Sequence, residues 1–160
     1  MRVKLTIIIV LCAVQVGLSQ KRLGGNYTFE TECMGSELDG SHTLKAWGNG
    51  KNQKDAVEQA KKNAVRDVIF KGIHAGKSEC SASPILIEIN AQKKYEDYFF
   101  EFFEDGGKYT EFVTLQDERF KDKVKQRNKK NARNSVTISV VVRVLSNKLK
   151  KKLIEDGILK

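Results

Sequence analysis

The chain has 160 residues, with 29 Lys and Arg against 20 Asp and Glu, for a formal net charge of +9. A single proline, Pro84, and no Gly/Ser-rich linker argue against more than one domain; a chain of this length buries about two-thirds of its unfolded surface, enough for a core without metal. Two histidines and three cysteines without CxxC or HxxxH spacing offer no ligand set for a structural zinc ion.

A basic head, Met1-Arg2-Val3-Lys4, precedes an apolar run from Leu5 to Leu18, the form of a secretory signal peptide. Gly17 and Ser19 occupy the positions a signal peptidase reads, so residues 1–19 are expected to be removed. At about fourteen residues the run falls short of the roughly 20 that span a bilayer, and no later stretch is apolar enough to serve as a transmembrane helix. The mature chain, residues 20–160, is therefore expected to be one exported domain, periplasmic or secreted. Loss of Arg2 and Lys4 lowers its net charge from +9 to +7. Cys12 follows Leu11 inside the run, whereas a lipid-accepting cysteine needs a small residue before it and a place at the run's end.

Tyr27 to Gly35 and His42 to Gly48 are rich in strand formers, and Asp39-Gly40 between them signals a β-hairpin. His42, Leu44 and Ala46 alternate onto one face, where His42 reads as a core histidine; Thr43, Lys45 and Trp47 take the other, so neither face is purely polar. Asn26-Tyr27-Thr28 has the form of a glycosylation sequon and reads as chance. Gly48-Asn49-Gly50 ends the hairpin. Asn52 then caps a helix, with Asp55 three positions on. Ala56, Val57, Ala60, Ala64, Val65, Val68 and Ile69 recur at helical spacing, Lys61, Lys62 and Arg66 fall outside the stripe, and Gly72 supplies the stop. The three alanines permit close approach to a sheet.

Residues 74–84 read as a loop, and Ile85 to Ile89 as either a short strand or an extended connector. Ala91 to Glu104 returns to helical spacing with Tyr95, Tyr98, Phe99, Phe102 and Phe103 in one wide aromatic stripe, closed by Asp105-Gly106-Gly107. Tyr109 to Leu115 reads as a strand. Phe120 to Arg127 then alternates cations with other residues, as an edge strand does. Lys129-Lys130-Asn131 makes the turn into the strongest strand, Ser135 to Leu145, with Val136, Ile138, Val140, Val142 and Val144 on one face. Ser146 or Asn147 is expected to cap a last short helix packing Leu149, Leu153 and Ile154 inward and ending at Gly157.

Cleavage leaves Cys33 and Cys80. In an oxidising compartment they form a candidate disulfide, whose long loop would contribute roughly 4 kcal/mol by restricting the unfolded chain; alternatively Cys33 is a small buried hydrophobe and Cys80 a loop thiol. Carboxylate pairs such as Glu30 with Glu32, or Glu101 with Glu104 and Asp105, have no spacing that demands acid–base work. The glycine pairs lack the trailing pattern that cradles phosphate. His74 and Cys80 lie near enough in sequence for a nucleophilic pair, without any recognisable nucleophile context. The expectation is a protein without catalytic residues, metal or cofactor.

Positive charge is the remaining collective feature. Lys121, Lys123, Lys125, Arg127, Lys129, Lys130 and Arg133, with Arg119, face only Asp122 in their span. For an exported chain this footprint fits an envelope protein or an anionic envelope component as partner better than nucleic acid. The hairpin, Gly48-Asn49-Gly50 and the helix Asp55-Ala56-Val57-Glu58-Gln59-Ala60-Lys61-Lys62-Asn63-Ala64, with the late Val140-Val141-Val142-Arg143-Val144-Leu145 and its following helix, resemble the amino-terminal domain of flagellar assembly protein T. Related small bacterial outer-membrane lipoproteins share the pattern, with a fold also found in the TolB amino-terminal domain and LpoB. The resemblance implies an α+β domain, a mostly antiparallel sheet with two main helices on one face and a short C-terminal helix, acting as a non-catalytic assembly or adaptor module of the cell envelope. The aromatic helix 91–104 and the basic hairpin have no match in that pattern. An alternative function is binding of a small apolar or peptide ligand in a cleft formed by that helix.

Overall fold

The computed structural model describes residues 29–127 and 134–160, with side chains except at 117–127 and 134. In chain order they form β1 (Glu32–Ser36), β2 (His42–Gly50), α1 (Gln53–Phe70), β3 (Ala75–Gly76), α2 (Ala91–Lys94), α3 (Glu96–Phe102), a 3₁₀ turn (Lys108–Phe112), β4 (Val113–Arg127), β5 (Asn134–Val144) and α4 (Ser146–Glu155). The five strands make one sheet in the order β3-β1-β2-β5-β4. Three pairings are antiparallel and the β1–β3 edge is parallel, so the α+β domain carries a mixed sheet.

The sheet's centre is the register of β2 on β5, which places Leu44 beside Val142, Ala46 beside Val140 and Gly48 beside Ile138. All but the glycine are fully buried apolar side chains. Helix α1 lies against this face through Ala56, Ala60 and Ala64, each without exposed surface. A Cβ on Gly48 would run into the Ala56 carbonyl oxygen and the Ala60 amide nitrogen, so strand and helix backbones touch there. The Asn52 side chain caps α1 by accepting from the Asp55 amide at 3.0 Å, satisfying a donor the helix cannot. Gly72 leaves the helix with φ +76, a left-handed conformation that suits glycine.

Lys62, Arg66 and Phe70, one turn apart on α1, meet the aromatic segment in step. Lys62 lies 5.4 Å from the Tyr109 ring centre, Arg66 5.2 Å from that of Phe103, and Phe70 packs edge-on at 4.7 Å from Phe99. Thus Lys62 and Arg66, read from sequence as outward residues, spread their stems and charges over rings.

The helix expected over 91–104 is two helices broken at Tyr95, because its ends answer to different anchors. Lys94 binds Glu88 at 2.6 Å, tying α2 to the preceding segment, while Phe99 and Phe102 tie α3 to the core. The strand expected from Tyr109 begins only at Val113. Tyr109 and Phe112, three residues apart, both point inward, which a three-residue turn permits and a two-residue alternation does not. Ile85 to Ile89 is a connector rather than a strand. At α4, Leu145 occupies the cap position, and neither Ser146 nor Asn147 caps the helix, since it starts directly off β5. Ile154 is 52% exposed, and Ile158 turns inward in its place behind Gly157.

Candidate functional site

The connector is held as a ridge. The amides of Ile85 and Leu86 donate to the Val68 and Ile69 carbonyls at 3.1 and 2.9 Å, satisfying acceptors that α1 leaves open at its end. Asn90 ends the ridge in the left-handed conformation, φ 64, which asparagine tolerates better than most residues. Ile87 and Ile89 are 79% and 88% exposed on its crest.

Between this ridge, α1 and the first turns of α2 and α3 lies a cleft of about 610 Å³, within the roughly 300–1,000 Å³ of small-molecule sites. Its apolar lining comes from Phe70, Leu86, Ala91, Phe99 and Phe103. Around these stand Arg66 and Lys93 against Glu88 and Glu96, with Asn90 and Gln92 between. Charges of both signs over an aromatic base suit a ligand with an apolar group and polar flanks more than a highly charged one.

A larger hollow of about 710 Å³ beside Glu58, Lys61, Lys62, Asp105 and Tyr109 is built differently. Its groups already satisfy one another: Lys61 to Glu58 at 2.8 Å, the Tyr109 hydroxyl to Glu58 at 2.8 Å, and Lys62 to Asp105 at 2.6 Å. Burial pushes the Glu58 carboxyl up, but hydrogen bonds from Lys61 and Tyr109 and the nearby lysine charges outweigh it, leaving the group below its ordinary value. Burial and Glu58 in turn raise the Tyr109 phenol. A carboxylate so held is a poor base at neutral pH.

Among the sequence candidates, Cys33 and Cys80 are joined as a disulfide, Cα atoms 5.9 Å apart, which pins the loop after β3 to β1. The sulfur of Cys80 is therefore no thiol for His74 to activate, and His74 instead lies exposed with Nε2 3.0 Å from the Lys71 carbonyl oxygen. His42 faces the core as expected but is not satisfied there: its Nδ1 is buried without a hydrogen-bond partner. Glu32 approaches Lys45 at 4.0 Å, and Asp105 is taken by Lys62. Among the described residues no three His, Cys, Asp or Glu gather as a metal set, and no helix is long and apolar enough to cross a membrane.

Lys121, Lys123, Lys125 and Arg127 belong to β4, the edge strand, with Lys123 opposite Ile138 and Lys125 opposite Val136. Their side chains, and Lys129, Lys130 and Arg133 altogether, lie outside the described residues. The sequence located the aromatic wall of the cleft but not the ridge facing it. Leu86 sits in, and Asn90 directly after, a stretch that the sequence leaves open between a short strand and a connector, and nothing in its residues alone marks it as a wall of a cleft.

No family model, curated protein or solved structure matches this chain.

Proposed function

We propose that this is an exported, non-catalytic binding module of the bacterial cell envelope, and that its aromatic cleft receives a small apolar ligand or the apolar side chain of a peptide partner. The cleft itself carries the reading: Phe70, Phe99 and Phe103 line its base beside the mixed-charge rim of Arg66, Lys93, Glu88 and Glu96. The leader-like first nineteen residues support export. The adaptor role suggested by the likeness to flagellar assembly protein T fits a domain that binds through a preformed groove.

The test uses an acetylated, amidated peptide with one central tryptophan, titrated into the protein by calorimetry. Saturable binding is expected. Gln92→Trp, at an exposed rim position, should fill the cleft and weaken binding by about tenfold or more without lowering the melting temperature. Reversing Lys125, Arg127, Lys129 and Lys130 to glutamate should leave peptide binding intact. If charge reversal removes binding and Gln92→Trp does not, the basic hairpin is the docking surface and the cleft reading fails.

A further inference from the structure

The 85–90 ridge has a second concavity beside it. Leu86 and Glu88 line the aromatic cleft, whereas Ile85 and Ile87 line a separate hollow of about 450 Å³ at the start of α4. Val68, Ile73 and Pro84 complete its apolar part. Its polar part is His42, Ser146, Asn147 and Lys150, with Ser81 and Ser83 on the opposite chain segment, where the Ser81 hydroxyl donates to the Ser83 carbonyl at 3.0 Å. Among these described lining residues there is one cation, Lys150, and no carboxylate.

Sheet register brings the polar part together. His42 pairs with Val144 across β2 and β5, and Ser146 follows two residues later as the first residue of α4. His42 is 9% exposed and Ser146 8%, yet Nδ1 of His42 and Oγ of Ser146 are buried with no hydrogen-bond partner. Buried polar groups are ordinarily paired, so two unpaired ones from separate elements at one hollow are a strong sign of something that pairs them. The ten-residue α4 adds the positive end of its dipole, since no side chain caps its first turn. Burial holds the His42 imidazole below its ordinary pKa, so at neutral pH it is an uncharged group whose tautomer adapts to its partner.

We propose that this hollow binds an apolar carboxylate, its aliphatic body against Val68, Ile73 and Ile85 and its carboxylate received by the first-turn amides of α4 and Lys150, with Ser146 and His42, whose unpaired atoms are covered in this structure, turning to meet it. Asn147 is engaged elsewhere, donating to the Asp39 carbonyl at 2.9 Å, and serves as wall. A fatty acid and the free C-terminus of a peptide ending in an aliphatic residue share this chemistry. The site is distinct from the aromatic cleft and stands whether or not that cleft is occupied.

The chain's two histidines supply the readout, because His74 is exposed and away from the hollow. Imidazole resonances are followed by NMR while hexanoate, N-acetyl-leucine or hexanol is added to the protein. At least one carboxylate should shift His42 saturably and leave His74 in place, while hexanol at the same concentration does neither. The stronger of hexanoate and N-acetyl-leucine assigns the source as fatty acid or peptide terminus. Ser146→Ala should weaken binding about fivefold and Lys150→Glu about tenfold, the latter at an exposed position with the melting temperature unchanged. No saturable His42 shift, equal shifts at both histidines, equal response to hexanol, or unchanged affinity in Lys150→Glu would each overturn the proposal; the first would leave a trapped water as the partner of the two groups.

Discussion

Helix α1 and the aromatic segment 91–112 pack into the same core by opposite means. Helix α1 brings backbone against backbone: alanines on its buried stripe and Gly48 on the strand leave no side chain between them. The aromatic segment works through volume, stacking Phe102 on Phe112 with ring centres 5.9 Å apart and setting Phe103 edge-on to Phe102 at 5.0 Å. Contact between backbones has nowhere to relax. Contact between rings can be repacked, which is also why a cleft can exist on that side of α1.

The sharpest way to break this contrast is Gly48→Val, whose branched side chain would have to enter the backbone of α1 at Ala56 and Ala60. A loss above about 3 kcal/mol, or no folded protein at all, is expected in urea titrations. Phe102→Leu, at a ring that is 1% exposed, should cost less, under about 2 kcal/mol, because neighbouring rings close part of the gap. Equal losses would remove the distinction. Smaller again is Tyr109→Phe, which deletes the hydrogen bond that joins the two regions through Glu58 and leaves that of Lys62 to Asp105 in place. About 1 kcal/mol is expected from the lost hydrogen bond, with the Glu58 carboxyl moving upward in pKa by NMR, since Tyr109 helps hold it down.

The same contrast decided what the sequence made legible. Helix α1 is periodic, capped by Asn52 and stopped by Gly72, three signals that agree, and its bounds are plain from the residues alone. Strand β5 is likewise legible, its alternating Val and Ile filling the sheet's centre. The aromatic segment misleads because large rings bury themselves in any conformation that lets them face the core. Tyr95 breaks a helix that the spacing continues, and Tyr109 with Phe112 makes a 3₁₀ turn from a strand-like run. The ridge at 85–90 is held by α1's terminal carbonyls, a long-range bond with no local signature. The unpaired atoms of His42 and Ser146 depend on the register of two strands nearly a hundred residues apart in sequence, which no window of sequence contains.

The smallest expected effect tests that last pair through pH. Burial lowers the His42 pKa from its ordinary 6.5 in the folded chain, so on acidification the unfolded chain takes up the proton first. Its neutral form is favoured by folding, and stability is full above pH 6.5, declining as pH falls from there toward the lower folded value. The carboxylates held low, Asp39 by Ser41 and Arg143 and Asp156 by Lys152, act in the same direction but in a lower window, which opens around their ordinary 3.8 and extends below it. A fall in the urea midpoint between pH 6.5 and 5 therefore belongs to His42, and His42→Gln should flatten it while leaving the steeper loss near pH 4. A slope that survives the substitution would place the titrating group elsewhere, and saturating hexanoate separates the cases further: a carboxylate beside His42 favours its proton, so bound ligand should shrink the slope in the native protein and leave that of His42→Gln untouched.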